Sequence, residues 1–283
     1  MIVSIGEVVW DMFGDKKVLG GAPVNVAYHL HSLGMDVCVI SRVGHDDLGT
    51  ATRDRLQEMG LDLEGVQEGQ LPTGQVHVTI GRDNEPHFDI VAPAAWDAIE
   101  FDQAVKVLAG KAFHLVFGTL AQRDSISRNT IRKLWPMADK RLYDVNLRPP
   151  FTSAELVSDS LQVADMVKVN GDELSVLASW FQISGADKKD QARQLLKTFD
   201  VSVIVVTEGK DGAWLVTPGE YFTHPGAPVK VADTVGAGDA FFATVIEGYI
   251  NNRPWPECLA RANKRGAYVA SRAGATPPMP ENL

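Results

Sequence analysis

Short apolar runs alternate with helical stretches along this chain, and that rhythm limits the available folds more than any other feature. Residues 2–9 read as a buried strand, a glycine-rich turn follows at 20–23, a helix runs through Ala27 and Leu30, and a second strand falls at 37–41. A helix at 47–59 ends on Gly60, and strand-like runs recur at 113–117, 142–145, 166–169 and 201–206. A strand joined to a parallel neighbour needs a crossover, so the pattern predicts an α/β fold: a central, mainly parallel sheet with helices on both faces. One segment departs from it. Residues 75–80 alternate polar and apolar, Arg82 to Glu85 resembles a hairpin turn, and 86–91 return. With the stretch after Trp10, this predicts a small antiparallel β-flap, formed by about 11–19 and 75–96, inserted in a single domain of residues 1–283. Such a flap covers a site or forms an oligomer contact.

The balance of 27 basic against 36 acidic residues gives a formal charge of −9, which disfavours nucleic acid as a partner. An acidic chain that binds anions needs local devices such as helix N-termini, glycine-rich loops or a cation. The two cysteines, Cys38 and Cys258, show no paired spacing, and no apolar stretch reaches membrane-spanning length. With no export signal at the N-terminus either, the expectation is a cytoplasmic protein with no membrane partner. His29 and His31 are two apart on a predicted helix and do not share a face, which speaks against metal ligation.

The stretch Asp233-Thr234-Val235-Gly236-Ala237-Gly238-Asp239-Ala240-Phe241 carries the strongest chemical signal, because small residues lead directly into a helical pattern through Val245, Ile246 and Tyr249. Gly236, Ala237 and Gly238 would leave amides open at the positive end of the helix dipole, a seat for a phosphate or an oxyanion. Asp239 would stand beside that seat as a general base. The plainer alternative is a tight turn with an acid offsetting the dipole. Neither the P-loop pattern nor G-x-G-x-x-G after the first strand is present.

Those nine residues resemble the D-T-x-G-A-G-D-x-F signature of the ribokinase-like (PfkB) carbohydrate kinases. Gly20-Gly21-Ala22-Pro23-Val24-Asn25, with Gly34 and Gly44, is similar to the family's N-terminal signature. Asn170-Gly171-Asp172-Glu173 resembles its N-x-x-E, and the run from Thr207 to Gly212 its T-x-G-x-x-G loop. The likeness spans nearly the whole chain and implies a ribokinase-like fold with a β-flap lid, and MgATP-dependent phosphorylation of a sugar hydroxyl. It implies Asp239 as base and Gly236, Ala237 and Gly238 as anion hole. It further implies nucleotide contacts at Lys168, Asn170, Thr207, Gly209, Gly212, Gly236 and Gly238, and an adenine wall near Asn263, Gly266 and Ala267. Asn170 and Glu173 would act on magnesium through water, although an Asn and a Glu three apart also make an ordinary capping box. Thr207 to Gly212 would equally suit a plain hairpin loop. Family members often hold potassium on backbone carbonyls, here near Asp233, Val235, Val269 and Gly274, and often pair through their lids as homodimers.

Asp11, Gly20, Gly21, Asn25, Asn146 and Arg148 are the sugar-site candidates, drawn from loop-like positions beside predicted strand ends. Asp144-Val145-Asn146-Leu147-Arg148 resembles the D-x-N-x-R stretch of fructokinases and 2-keto-3-deoxygluconate kinases. Phe88 and Ala92-Pro93-Ala94-Ala95-Trp96-Asp97 resemble bacterial fructokinases, which puts fructose first. Alternatives stay open: Asn25 could cap its helix, Asp11 could close a turn, and Arg148 could pair with a surface acid or hold a substrate carboxylate. Lys16, Lys17, Arg82 and His87 keep a phosphorylated substrate in view. A sugar- or nucleotide-sensing protein on the same fold is the alternative of another class.

Overall fold

The computed structural model describes residues 1–14, 16–80, 86–111, 113–280 and 283. In chain order, β1 (Ile2–Ile5) leads to β2 (Val9–Phe13) and β3 (Lys16–Gly20), then α1 (Ala22–Ser32), β4 (Val37–Gly44), α2 (Asp47–Glu58) and β5 (Val66–Gly69). Next come β6 (Gly74–Ile80), β7 (Pro86–Ile90), α3 (Gln103–Ala109), β8 (His114–Gly118), α4 (Ser125–Leu134), β9 (Lys140–Asp144) and α5 (Ala154–Leu161). The C-terminal part holds β10 (Met166–Asn170), α6 (Gly171–Trp180), α7 (Lys188–Phe199), β11 (Val203–Thr207), β12 (Ala213–Val216), β13 (Tyr221–His224), α8 (Ala237–Ile250) and α9 (Trp255–Ala270).

The main sheet has nine strands in the order β13-β12-β11-β10-β9-β8-β1-β4-β5. Pairing is parallel from β11 to β5, while β11, β12 and β13 pair antiparallel. Alternate residues of each strand feed two cores. Val3, Ile5, Phe117 and Val167 pack with α3 to α7 on one face, and Ile2, Val116, Leu142 and Met166 pack with α1, α2, α8 and α9 on the other. This is the α/β architecture expected from the alternation, a mainly parallel sheet with helices on both faces.

A second sheet, ordered β3-β2-β6-β7, takes the place of the simple flap. Its outer pairs are antiparallel, and β2 and β6 join them in parallel. The turn expected at Arg82 to Glu85 lies outside the described residues, as does the side chain of His87.

Two expectations need correction. Residues 2–9 are not one strand: Gly6 has φ +152°, and a Cβ there would lie 2.7 Å from Pro23 Cγ. The chain turns at that glycine and re-enters the second sheet as β2. Asp11 consequently lies within β2, opposite Val18 and Val76, and closes no turn.

Candidate active site

Strand register assembles the charged centre. Lys168 on β10 is the neighbour of Asp144 on β9, and both share the sheet face of Met166 and Leu142, which looks toward α8. Lys168 Nζ donates to both Asp144 oxygens at 3.0 Å, and the two side chains are 9% and 5% exposed. Burial opposes the charge on Lys168, but Asp144, Asp239 and Glu173 outweigh it and hold the ammonium above its ordinary pKa.

Over this pair stands the start of α8. Its N-cap is Gly236 with φ +75°, and a Cβ there would lie 2.4 Å from the Cβ of Ala275, so the turn admits little but glycine. Ala240 N–H donates to Gly236 O at 2.9 Å, leaving the earlier amides without partners inside the helix. Ala237 N–H meets Thr234 O at 3.3 Å. A Cβ on Gly238 would lie 3.4 Å from Lys168 Nζ, so the ammonium borders the helix start.

Asp239 is buried in that first turn, and its Oδ2 accepts from Asn25 Nδ2 at 2.8 Å. Asn25 does not cap α1: the N-cap is Gly21, with φ +112°, and Asn25 lies inside the helix. Burial raises the Asp239 carboxyl, Lys168 lowers it, and Asp144 raises it again. A buried acid oriented by one amide and balanced by one ammonium can take a proton from a hydroxyl brought to it.

Asn146 and Arg148 follow β9. Asn146 adopts φ +37°, and the exposed Arg148 donates to Leu147 O at 2.9 Å without an ion pair among the described residues. The surface-acid alternative for Arg148 is therefore not what the structure contains. Gly20 closes β3 beside Asp11, whose Oδ2 would lie 3.1 Å from a Cβ on that glycine. Phe88 projects from β7, 49% exposed.

Asn170 and Thr207 are paired at the carboxyl ends of β10 and β11. Asn170 Oδ1 accepts from the amides of Asp172 and Glu173, and Glu173 Oε2 accepts from Asn170 N at 2.8 Å, a complete capping box. Glu173 Oε1 also accepts from Leu147 N at 2.9 Å, tying this turn to the Asn146 loop. Among the described residues no cluster of three or more His, Cys, Asp or Glu side chains could hold a metal. These two residues fit a hydrated magnesium, reached through water, better than a directly ligated one.

Gly209 and Gly212, with φ +56° and +94°, shape the loop between β11 and β12. On α9, Asn263 is buried and donates to Leu259 O, and Ala267 is half-buried one turn further on. Asp233 accepts from Val235 N and Gly274 N at 3.0 Å each, and its own N–H meets Ala270 O, next to Val269. The positions named for a monovalent cation are thus neighbours.

Two residues of this centre were not among the candidates. Asp144 stood in the D-x-N-x-R likeness without a role assigned to it, and Glu7 interrupts an apolar run; an acid beside residues destined for the core was the available signal.

The chain belongs to the pfkB family of carbohydrate kinases, whose pattern matches residues 4–282. It is 28% identical to aminoimidazole riboside kinase of Salmonella typhimurium, over 98% of this chain and 91% of the relative. It is 30% identical to probable fructokinase-7 of Arabidopsis thaliana, over 94% of this chain and 82% of the relative. The crystal structure of fructokinase with bound ATP from Xylella fastidiosa superposes with a TM-score of 0.85 at 23% identity, covering 97% of this chain and 93% of that one, a likeness of fold.

Proposed function

We propose that this protein transfers the terminal phosphoryl group of MgATP to a primary hydroxyl of a sugar, with D-fructose as acceptor and fructose 6-phosphate as product. The observation that carries this is Asp239, buried at the open start of α8, held by Asn25 and bordered by the Lys168 and Asp144 pair. Asp239 takes the acceptor's proton while the hydroxyl oxygen attacks the terminal phosphorus and ADP leaves. The amides at Gly236 and Gly238, with Lys168 and with Ala237 N–H once it leaves its 3.3 Å contact to Thr234 O, stabilise the charge that spreads over the transferring oxygens. Asn170 and Glu173 would act through water on a magnesium ion, which would neutralise charge on the phosphates. Thr207, Gly209 and Gly212 would contact the phosphates and ribose, Asn263 and Ala267 would wall the adenine, and the carbonyls around Asp233, Val235, Val269 and Gly274 would hold a potassium ion, supplying a fixed positive charge beside the helix start.

The relatives act on different acceptors, so fructose rests on the motif likeness of Asp144 to Arg148 and of the Phe88 segment. Asp11, Gly20, Gly21, Asn25, Phe88, Asn146 and Arg148 form the acceptor site, and the second sheet is its lid. The second reading, a keto-acid sugar, is favoured by the guanidinium of Arg148, which has no ion pair among the described residues. Exposed Phe13 and Phe88 make that sheet the surface for a homodimer. Among the described residues no helix is long and apolar enough to cross a membrane, and both thiols are buried and free, which supports a reducing cytoplasm.

ADP release with MgATP over fructose, ribose, 2-keto-3-deoxygluconate, adenosine, aminoimidazole riboside and fructose 1-phosphate tests this. Fast turnover confined to fructose is expected, and Asp239→Asn should lower kcat by about 10²- to 10⁴-fold with ATP affinity retained. Undiminished turnover by that variant would remove Asp239 as base. Preference for the keto acid would move Arg148 to carboxylate binding, and silence with ATP still bound would favour a sensor.

A further inference from the structure

Glu7 is a buried acid that the chemistry above does not use. It follows Gly6 at the carboxyl end of β1, inside the main sheet, where the chain leaves for the second sheet. The residue is 5% exposed, and its Oε2 is fully buried without a hydrogen-bond partner. No cation of the described residues pairs with it; Arg148, Asp239 and Asp144 act on its charge from farther away. Burial lifts the carboxyl to about 7, against its own backbone N–H and Arg148, with Asp239 and Asp144 adding to the rise.

An unsatisfied buried carboxyl costs stability, and an apolar side chain of similar size would not incur that cost. A fold carries such a group at a site where a ligand completes it. The surroundings indicate which ligand. Glu7 lines a cavity of about 10 Å³ with Thr119, Asp144 and Asn146 against otherwise apolar walls, room for one water or one hydroxyl group. Gly21 lies so close to the backbone carbonyl of Glu7 that a Cβ would stand 2.4 Å away, which places the backbone of Glu7 directly behind the glycine turn. Asn25, whose Nδ2 is spent on Asp239, leaves its own Oδ1 buried and unpartnered. A buried carboxyl oxygen that no cation of the described residues pairs with matches a neutral hydroxyl better than an anionic group.

We propose that Glu7 is an acceptor-binding residue whose carboxyl hydrogen-bonds a sugar hydroxyl other than the one phosphorylated, and so selects among polyols. This rests on the sugar-kinase reading. A carboxyl that gains or loses its proton near neutrality offers a donor and an acceptor side by side, the complement of one hydroxyl.

The test compares wild type with Glu7→Gln and Glu7→Leu in KM for the accepted sugar, KM for ATP, kcat and Tm, with calorimetric binding of the same sugars. Glu7→Leu should raise the sugar KM about 10-fold or more, leave the ATP KM within about twofold, and hold or raise Tm. Glu7→Gln keeps a donor and an acceptor and should stay within about threefold of wild type. An unchanged sugar KM in Glu7→Leu would mean the acid serves only an internal water. Loss of Tm and kcat at constant sugar KM would make its role structural, and either result overturns the proposal. If wild type phosphorylates no sugar, the kinase reading falls by itself. Glu7 is then judged by calorimetry, where equal affinity in wild type and Glu7→Leu, or none in either, rejects it.

Discussion

Two buried titratable residues pull stability in opposite directions with pH. Burial lowers His29 from 6.5 to about 4. Its Nε2 lies 2.9 Å from Ala275 O, a group that only accepts, so Nε2 carries the proton and Nδ1 stays bare and buried. The unfolded histidine protonates first as pH falls, so its contribution is present above 6.5 and is lost toward 4. Glu7 does the reverse: the folded state keeps a proton that the unfolded chain releases at 4.5, so stability falls as pH rises from 4.5 to about 7. Urea denaturation should therefore find Glu7→Gln gaining on wild type as pH rises through that window, by on the order of 2–3 kcal/mol. A gap that stays constant with pH would mean that Glu7 is ionised at an ordinary pKa.

Among the elements, the start of α6 links the two halves of the site. Glu173 holds both Asn170 N and Leu147 N, so one carboxylate closes a helix and positions the loop that carries Asn146 and Arg148. Asn170→Ala should cost about 1 kcal/mol and lower Tm by roughly 2–4 °C. An unchanged Tm would mean that the box is not formed in solution. The capping pattern was legible from the spacing of Asn170 and Glu173; the bond to Leu147 was not, because it joins residues brought together by neighbouring strands. The break at Gly6 was equally hidden. A glycine within an apolar run reads as strand until Pro23, on another element, occupies the space a side chain would need.

Across the whole molecule, the second sheet joins the main body by apolar residues that enter its two cores, Val9, Trp10, Leu19 and Val76, and by defined polar contacts. Trp10 Nε1 donates to Thr52 Oγ1 at 2.9 Å, on α2. Arg123 pairs with Asp97 through two contacts of 2.7 Å, donates to Val91 O, and stacks on Trp96 and Phe151. These anchors lie at the base of the sheet, and the outer residues Phe13 and Phe88 are exposed. In the proposed reading this sheet is the lid, and closing over the substrates would exclude water from them. Amide exchange in β6 and β7 should slow when sugar and a non-hydrolysable nucleotide are both bound, more than with either alone. Exchange indifferent to both ligands would remove the lid role.

Periodicity and turn chemistry are local, and so the parallel sheet, its two helical layers and the open helix start at Gly236 to Asp239 could be read from the chain. Asp239 announced itself because glycines and a first-turn acid are neighbours in sequence. The pairing of Lys168 with Asp144, the hold of Asn25 on Asp239, and the orphaned carboxyl of Glu7 were decided only by tertiary structure. Each depends on which strands are adjacent and in what register, and on which polar atoms are left without water once the cores close.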